Sequence, residues 1–306
     1  QGASFMADGY ARVTGKPGVC TIITGPGVTN AATGIGQAFA DSIPMLVISS
    51  ANDSRSLGRG WGRLHETTDL CAITRPITAF SVMVHDPSEV PGYIAKAFTI
   101  FSAQRPRPVH IAIPIDVMEM PVAEDWLPQV VPGLPMPTGG SINHAADLLA
   151  ASEHVVMVVG GGCQQASLEV TQLAELLNVG VIASNAGKGV VSDGNPLSLG
   201  GGIISPAVQD YLSEADVVLA IGTELGEADS FIYNLPVNGK VIRIDIDSAR
   251  FNDAFPADVA VRGDARIACT QLIEALDGLK IETASSDTIA VLEKVRARQF
   301  VDYTSV

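Results

Sequence analysis

Val19-Cys20-Thr21-Ile22-Ile23-Thr24-Gly25-Pro26-Gly27-Val28-Thr29-Asn30 is the stretch on which the fold turns. Val19 to Ile23 reads as a strand, and the apolar run suits a strand covered on both faces. Thr24 to Asn30 reads as a loop, and a helix is expected over residues 29–40. Strand, glycine-bearing loop and helix in that order are the opening unit of an open parallel sheet. Gly25-Pro26-Gly27 lets backbone approach a ligand beside a helix start that offers free N–H groups. The same triplet also serves an ordinary strand-to-helix turn.

Outward from this stretch the alternation continues. A helix body, Gln1 to Arg12, precedes it, followed by Gly15-Lys16-Pro17-Gly18. No Ser, Thr, Asp or Asn stands ahead of that helix to cap it, so the segment is expected to begin inside a folded unit. Further strands are expected over residues 45–49 and 109–113, with a helix over 88–103. The first domain is thus placed at residues 1–117. Residues 118–140 hold five prolines and three glycines and read as a linker. A second domain is expected over 141–281, with strands at 155–159, 180–183, 217–221 and 241–246 and helices at 141–151, 167–177 and 265–276. The fold class is therefore α/β, with two doubly wound parallel-sheet domains. Residues 282–306 read as a connector with one helix, 288–303.

Composition narrows the function. The 306 residues are 47% hydrophobic and 17% charged, which supports large buried cores rather than disorder. The net charge of -14 gives no electrostatic footprint for nucleic acid or an anionic membrane. No run of about eighteen apolar residues is present for a membrane span, and the expected location is the cytoplasm. The four cysteines form no CxxC pair and no zinc spacing, so no metal site is assigned and the thiols are expected to be buried and inert.

The order of these motifs resembles the thiamine-diphosphate-dependent enzymes of the acetolactate synthase type. The resemblance rests on Gln1 to Arg12, the loop at Gly25, and Arg105-Pro106-Arg107-Pro108-Val109-His110-Ile111. Pro114-Ile115-Asp116-Val117, Gly160-Gly161-Gly162, Ala186-Gly187-Lys188-Gly189 and Arg243-Ile244-Asp245-Ile246-Asp247 extend it. It implies a pyrimidine-binding domain, then a central domain, with thiamine diphosphate and Mg2+ as cofactors. Gly25, Pro26, Gly27 and Asn30 would lie beside the cofactor's pyrimidine. The family's catalytic glutamate would fall just before Gln1, and its metal motif in a domain after Val306. Residues 1–306 by themselves are accordingly expected to be inactive. The resemblance also implies a homo-oligomer, a dimer or tetramer, acting on a small 2-oxo acid.

Three departures bear on the substrate. Acetolactate synthases carry Phe-Gln-Glu where this chain has Leu64-His65-Glu66, and the resemblance places these residues and Ile115 at the substrate. A histidine there could move protons near neutral pH, although a solvent-facing loop histidine is the plain alternative. Ile115 replaces the family's lysine, and Ser50-Ala51-Asn52-Asp53 replaces its Gly-Gln pair. Residues 50–67 look more like 5-guanidino-2-oxopentanoate decarboxylases. Acids at Asp53, Glu66 and Asp69 could pair with such a basic tail, unless they are solvated or paired with Arg55, Arg59 or Arg63. Gly160-Gly161-Gly162 after a strand, with Asp245 ending a later one, fits a dinucleotide site. In acetolactate synthases this domain binds FAD and a residue matching Arg105 contacts it. Here Glu224 to Asp229 replaces the family's flavin segment, so FAD stays open. An acetolactate synthase large subunit and a non-catalytic nucleotide- or flavin-binding α/β module are the alternative readings.

Overall fold

The computed structural model describes residues 1–122, 125–283 and 287–304. It divides into two compact units, Gln1–Gly133 and Leu134–Val306. The boundary falls within the Pro/Gly-rich stretch 118–140, of which residues 123 and 124 lie outside the described residues, as do 284–286 and 305–306 of the connector.

The first unit runs α1 (Gly2–Thr14), β1 (Gly18–Ile22), α2 (Pro26–Ala40), β2 (Met45–Ala51), α3 (Leu70–Thr74), β3 (Phe80–Met83), α4 (Val90–Ala103), β4 (Val109–Pro114) and α5 (Ile115–Met118). Its sheet has the order β1-β2-β4-β3, with every pairing parallel. Helix α2 begins at Pro26, three residues earlier than expected, because proline's fixed φ suits the first helical turn. Its buried positions Val28, Ala31, Ile35 and Ala38 follow helical spacing; Ala31, Ile35 and Ala38 meet Ala7, Cys20, Met45 and Val47 on one face of the sheet, and Val28 packs with Ala51, Leu70, Cys71 and Ala112. The opposite face packs Leu46, Val109 and Ile111 against Ala97 and Ile100 of α4. Alternate residues of β2 thus enter different clusters, which is why Met45 to Val47 are apolar without interruption.

The second unit runs α6 (Gly139–Ala150), β5 (Val155–Val159), α7 (Ser167–Leu177), β6 (Gly180–Ala183), α8 (Pro206–Ser213), β7 (Val217–Ile221), α9 (Glu227–Ser230), β8 (Lys240–Asp245), β9 (Val259–Arg262), α10 (Ala265–Leu276) and α11 (Thr288–Thr304). The sheet order is β6-β5-β7-β8-β9, again all parallel. The strand order reverses between β5 and β7, where doubly wound folds open a crevice at the carboxyl ends of the strands. A single apolar cluster fills both faces.

Several elements carry no clear signal in the sequence. β3 and β9 are edge strands; β3 is half-buried throughout and β9 alternates buried with exposed. Gly160 to Gly162 lead first into a short 3-10 turn, Gly161–Cys163, and only then into α7. Gly139 and Gly140 open α6 rather than ending the linker, because the Thr138 side chain caps the backbone N–H of Ser141. All four cysteines are buried and free.

Candidate functional site

The parallel pairing of β1, β2 and β4 sets three segments at one end of the first sheet. They are the loop after Ile22, the long loop 52–69 after Ala51, and Ile115 after Pro114. The carboxyl ends of parallel strands are where open α/β sheets hold ligands. Thr24 N–H donates to Ser50 Oγ at 3.1 Å, tying the first two segments together.

Gly25 and His65, forty positions apart in sequence, meet here. Gly25 has φ 57° and ψ -111°, a conformation that only glycine holds without strain. A Cβ at Gly25 would run into the His65 carbonyl oxygen and lie 2.9 Å from His65 Cβ. His65 is itself left-handed, with φ 57°, and its Nδ1 is buried without a hydrogen-bond partner. A non-glycine residue in that region, carrying an orphaned ring nitrogen, is the kind of local strain found where ligands bind. Gly27 is less constrained, since a Cβ there would sit 2.7 Å from Ile23 Cγ2, the end of a side chain. Pro26 and Asn30 are exposed on the first turns of α2. Leu64 is 75% exposed and Ile115 51% exposed, so both apolar side chains face outward at this end.

The loop is held by side chains bonding to backbone. Asn52 Nδ2 donates to Leu64 O at 2.9 Å. Ser54 donates twice to Asp116, from its backbone N–H at 2.9 Å and its hydroxyl at 2.5 Å. This joins the loop to the residue after Ile115. The three loop acids expected to await a basic tail are each engaged. Asp53 takes two bonds from Arg55, at 2.9 and 2.8 Å, which hold its carboxyl down at about 2. Asp69 caps α3 through Ala72 N–H at 2.9 Å and lies 3.8 Å from Arg75. Glu66 accepts from the backbone N–H groups of Gly60, Trp61 and Arg63 at 2.9, 3.3 and 3.1 Å. Arg59 stacks over the Trp61 ring at 4.9 Å. The loop therefore offers a cationic tail no carboxylate that is idle.

A second feature of this unit has no counterpart among the sequence expectations. His110, on β4, is fully buried in a cluster of hydroxyls. Its Nε2 lies 2.8 Å from Ser49 Oγ, and its Nδ1 lies 2.7 Å from Thr74 Oγ1 and 3.0 Å from Ser81 Oγ. Burial pushes the imidazole down to about 4, so it is neutral near pH 7 and links β2, β3, β4 and α3. Arg105 sits at the other end of β4, where its Nε donates to Ser42 Oγ at 2.8 Å. Arg107 beside it donates to the Phe39 carbonyl and stacks on the Phe39 ring at 4.3 Å. Both arginines thus close the C-terminal end of α2.

At the switch point of the second sheet the glycines have packing tasks. Gly160 N–H donates to Ile221 O at 2.9 Å and Gly162 N–H to Gly222 O at 3.1 Å. A Cβ on Gly160 would lie 2.6 Å from Thr223 Cα, and one on Gly162 would lie 2.8 Å from Gly222 Cα. Gly161 has more room, with Ala186 Cβ 3.0 Å from a Cβ placed there. The loops after β5 and β7 therefore close on each other, which accounts for Gly160 and Gly162 without a ligand. Asp245 Oδ1 accepts from Asp247 N–H at 2.8 Å and shapes its own turn. The N–H groups of Gly160 and Gly162 and one oxygen of Asp245 are thus engaged within the protein. Arg243, 1% exposed, donates to Thr223 O at 2.8 Å and Phe255 O at 3.1 Å, and burial lowers its pKa from the usual arginine value. Among the described residues no group of three or more His, Cys, Asp or Glu side chains is placed to hold a metal ion, and no helix is long and apolar enough to cross a membrane.

Comparison with known proteins bears on both units. Residues 1–73 match the thiamine pyrophosphate enzyme N-terminal TPP binding domain, and residues 142–272 match the thiamine pyrophosphate enzyme central domain. A protein of Pseudomonas aeruginosa described as a "probable 2-ketoarginine decarboxylase" is 51% identical over 278 residues, 90% of this chain and 49% of that protein. A "probable acetolactate synthase large subunit" of Methanocaldococcus jannaschii is 35% identical over 295 residues, 92% of this chain and 49% of the relative. The acetolactate synthase of Arthrospira platensis is 36% identical over 287 residues, 87% and 48% of the two chains. The chain spans about half the length of the curated relatives it matches.

Proposed function

Because the chain belongs to the thiamine pyrophosphate enzymes, with their N-terminal and central domains, we propose that the full-length protein is a thiamine-diphosphate-dependent decarboxylase of a 2-oxo acid, with 5-guanidino-2-oxopentanoate as substrate. One observation carries the choice of substrate. Over nearly the same stretch the chain is 51% identical to the 2-ketoarginine decarboxylase and 35% or 36% identical to the acetolactate synthases.

The cofactor would supply the electron sink for carbon dioxide release. The chain's own residues supply placement. The turn Gly25-Pro26-Gly27, with Asn30 beyond it, would stand beside the pyrimidine. His65, half-buried at the same end of the sheet, would hold or move a proton on the substrate through its imidazole. Leu64 and Ile115 would line the path of the substrate's aliphatic chain. The loop acids are already engaged, so selectivity for the tail is assigned to these apolar walls and to the missing lysine at position 115, not to a waiting carboxylate. The holoenzyme is read as a cytoplasmic, Mg2+-dependent homo-oligomer. FAD is not included in this reading, because the N–H groups of Gly160 and Gly162 donate to backbone carbonyls and Asp245 Oδ1 accepts from Asp247 N–H.

The test is a competition assay on the full-length enzyme. The expected result is carbon dioxide release that needs thiamine diphosphate and Mg2+, with kcat/KM for 5-guanidino-2-oxopentanoate at least about tenfold above that for pyruvate, a difference that contacts to one extra side chain can supply. Equal or higher kcat/KM for pyruvate would transfer the protein to the acetolactate synthases.

A further inference from the structure

We propose that Glu66 is a positioning residue whose carboxylate latches the loop 60–66 and thereby holds His65 against Gly25. This deepens the reading above and rests on His65 acting at the reacting centre.

The geometry is local. Gly60 and Gly62 have φ 67° and 70°, and the backbone between Gly60 and Arg63 curls so that successive N–H groups point inward. Such a concavity is an anion site. Here the chain fills it with its own carboxylate: Oε1 takes the N–H groups of Gly60 and Trp61, and Oε2 takes that of Arg63. Burial opposes ionisation of this carboxyl, but the N–H groups of Arg63, Trp61, Gly60 and Gly62 together outweigh it and keep the group below its ordinary range. His65 lies directly inside the closed ring. On its N-terminal side the Leu64 carbonyl is held by Asn52, and on its C-terminal side Glu66 N–H returns to Arg63 O at 3.1 Å. With both neighbours fixed, His65 keeps its left-handed backbone and its contact with Gly25. Opening the ring would let this residue relax to φ < 0 and withdraw its ring.

Glu66→Gln tests this with little change of size. A carboxamide keeps one acceptor oxygen and sets an NH2 group against a backbone N–H, so half of the latch is lost. In the full-length enzyme the expected result is a kcat lower by about tenfold or more, since a misplaced catalytic group costs up to about a hundredfold. KM for thiamine diphosphate should stay within about twofold. Amides 60, 61 and 63 should exchange faster with solvent. The His65→Ala, Glu66→Gln double variant should be no slower than His65→Ala alone, because residues acting as a unit are non-additive. If His65→Ala alone leaves kcat unchanged, the role of His65 falls and the latch falls with it. If His65→Ala is slow but Glu66→Gln is neutral, or the two losses multiply, or the amide exchange is unchanged, the latch alone is overturned.

Discussion

The two sheets end differently at their carboxyl edges. In the second unit the loops after β5 and β7 meet backbone to backbone, with Gly160 and Gly162 against Gly222 and Thr223. In the first unit the loop after β1 meets the loop after β2 through one glycine, and what it meets is His65, strained and with an unpartnered ring nitrogen. Both ends use glycine for close approach. One spends that closeness on sealing the fold, and the other on presenting a side chain. A glycine-rich loop after a parallel strand is therefore not evidence of a ligand until its neighbours are known.

Substitution of the contact glycines should separate the two ends. Gly222→Ala puts a Cβ 2.7 Å from Gly162 Cα at φ 54°, inside a packed seam. The left-handed strain and overpacking together are expected to destabilise the second unit by about 4 kcal/mol. Gly25→Ala drives a Cβ into the backbone carbonyl of His65 at φ 57°, but relief there needs only the loop 60–66 to be pushed towards solvent rather than a packed seam to open, so about 2 kcal/mol is expected, with the loss appearing chiefly in turnover of the full-length enzyme because His65 is displaced. Chemical denaturation of both variants checks the order; equal costs would erase the distinction between a sealed and an open end.

Acid should separate the units a second time. His110 is neutral in the fold, with its pKa lowered from 6.5 to about 4. Between those values the unfolded chain binds the extra proton, so stability rises with pH across this window. The first unit is thus expected to lose up to about 3 kcal/mol as the pH falls from about 6.5 to about 4. Both tryptophans, Trp61 and Trp126, lie in this unit, so fluorescence reports on it selectively. The fluorescence-monitored urea midpoint should fall across this window, and fall much less in His110→Asn. The carboxylates of Asp53, Asp86 and Asp116, held below their ordinary range, contribute only at lower pH. A slope unchanged in His110→Asn would place the proton elsewhere.

The sequence is legible where one requirement dominates. Val155–Val159, Val217–Ile221 and Gly180–Ala183 are buried on both faces, and uniform apolar runs announce them. Ala265–Leu276 is marked by Asp264, whose side chain caps the helix. β3 escapes notice because an edge strand with half-buried residues needs no such run. Gly25 and His65 each stand out alone, but their contact depends on the pairing of β1 with β2, which no local pattern encodes. Glu66 looks like a substrate carboxylate because a sequence does not show which backbone N–H groups will face a side chain. Gly160 looks like a phosphate loop because its partner Gly222 lies more than sixty residues away. His110 reads only as part of a strand, since its hydroxyl partners come from three different elements.

Amide hydrogen exchange on the full-length protein, with and without thiamine diphosphate and Mg2+, tests the contrast between the two ends most directly. An open end that receives the cofactor should show protection in peptides covering residues 24–30 and 60–66. Peptides covering 160–163 and 222–223 should be slow in both states and unchanged. Protection appearing at 160–163 with none at 24–30 would contradict the assignment of the site to the first sheet.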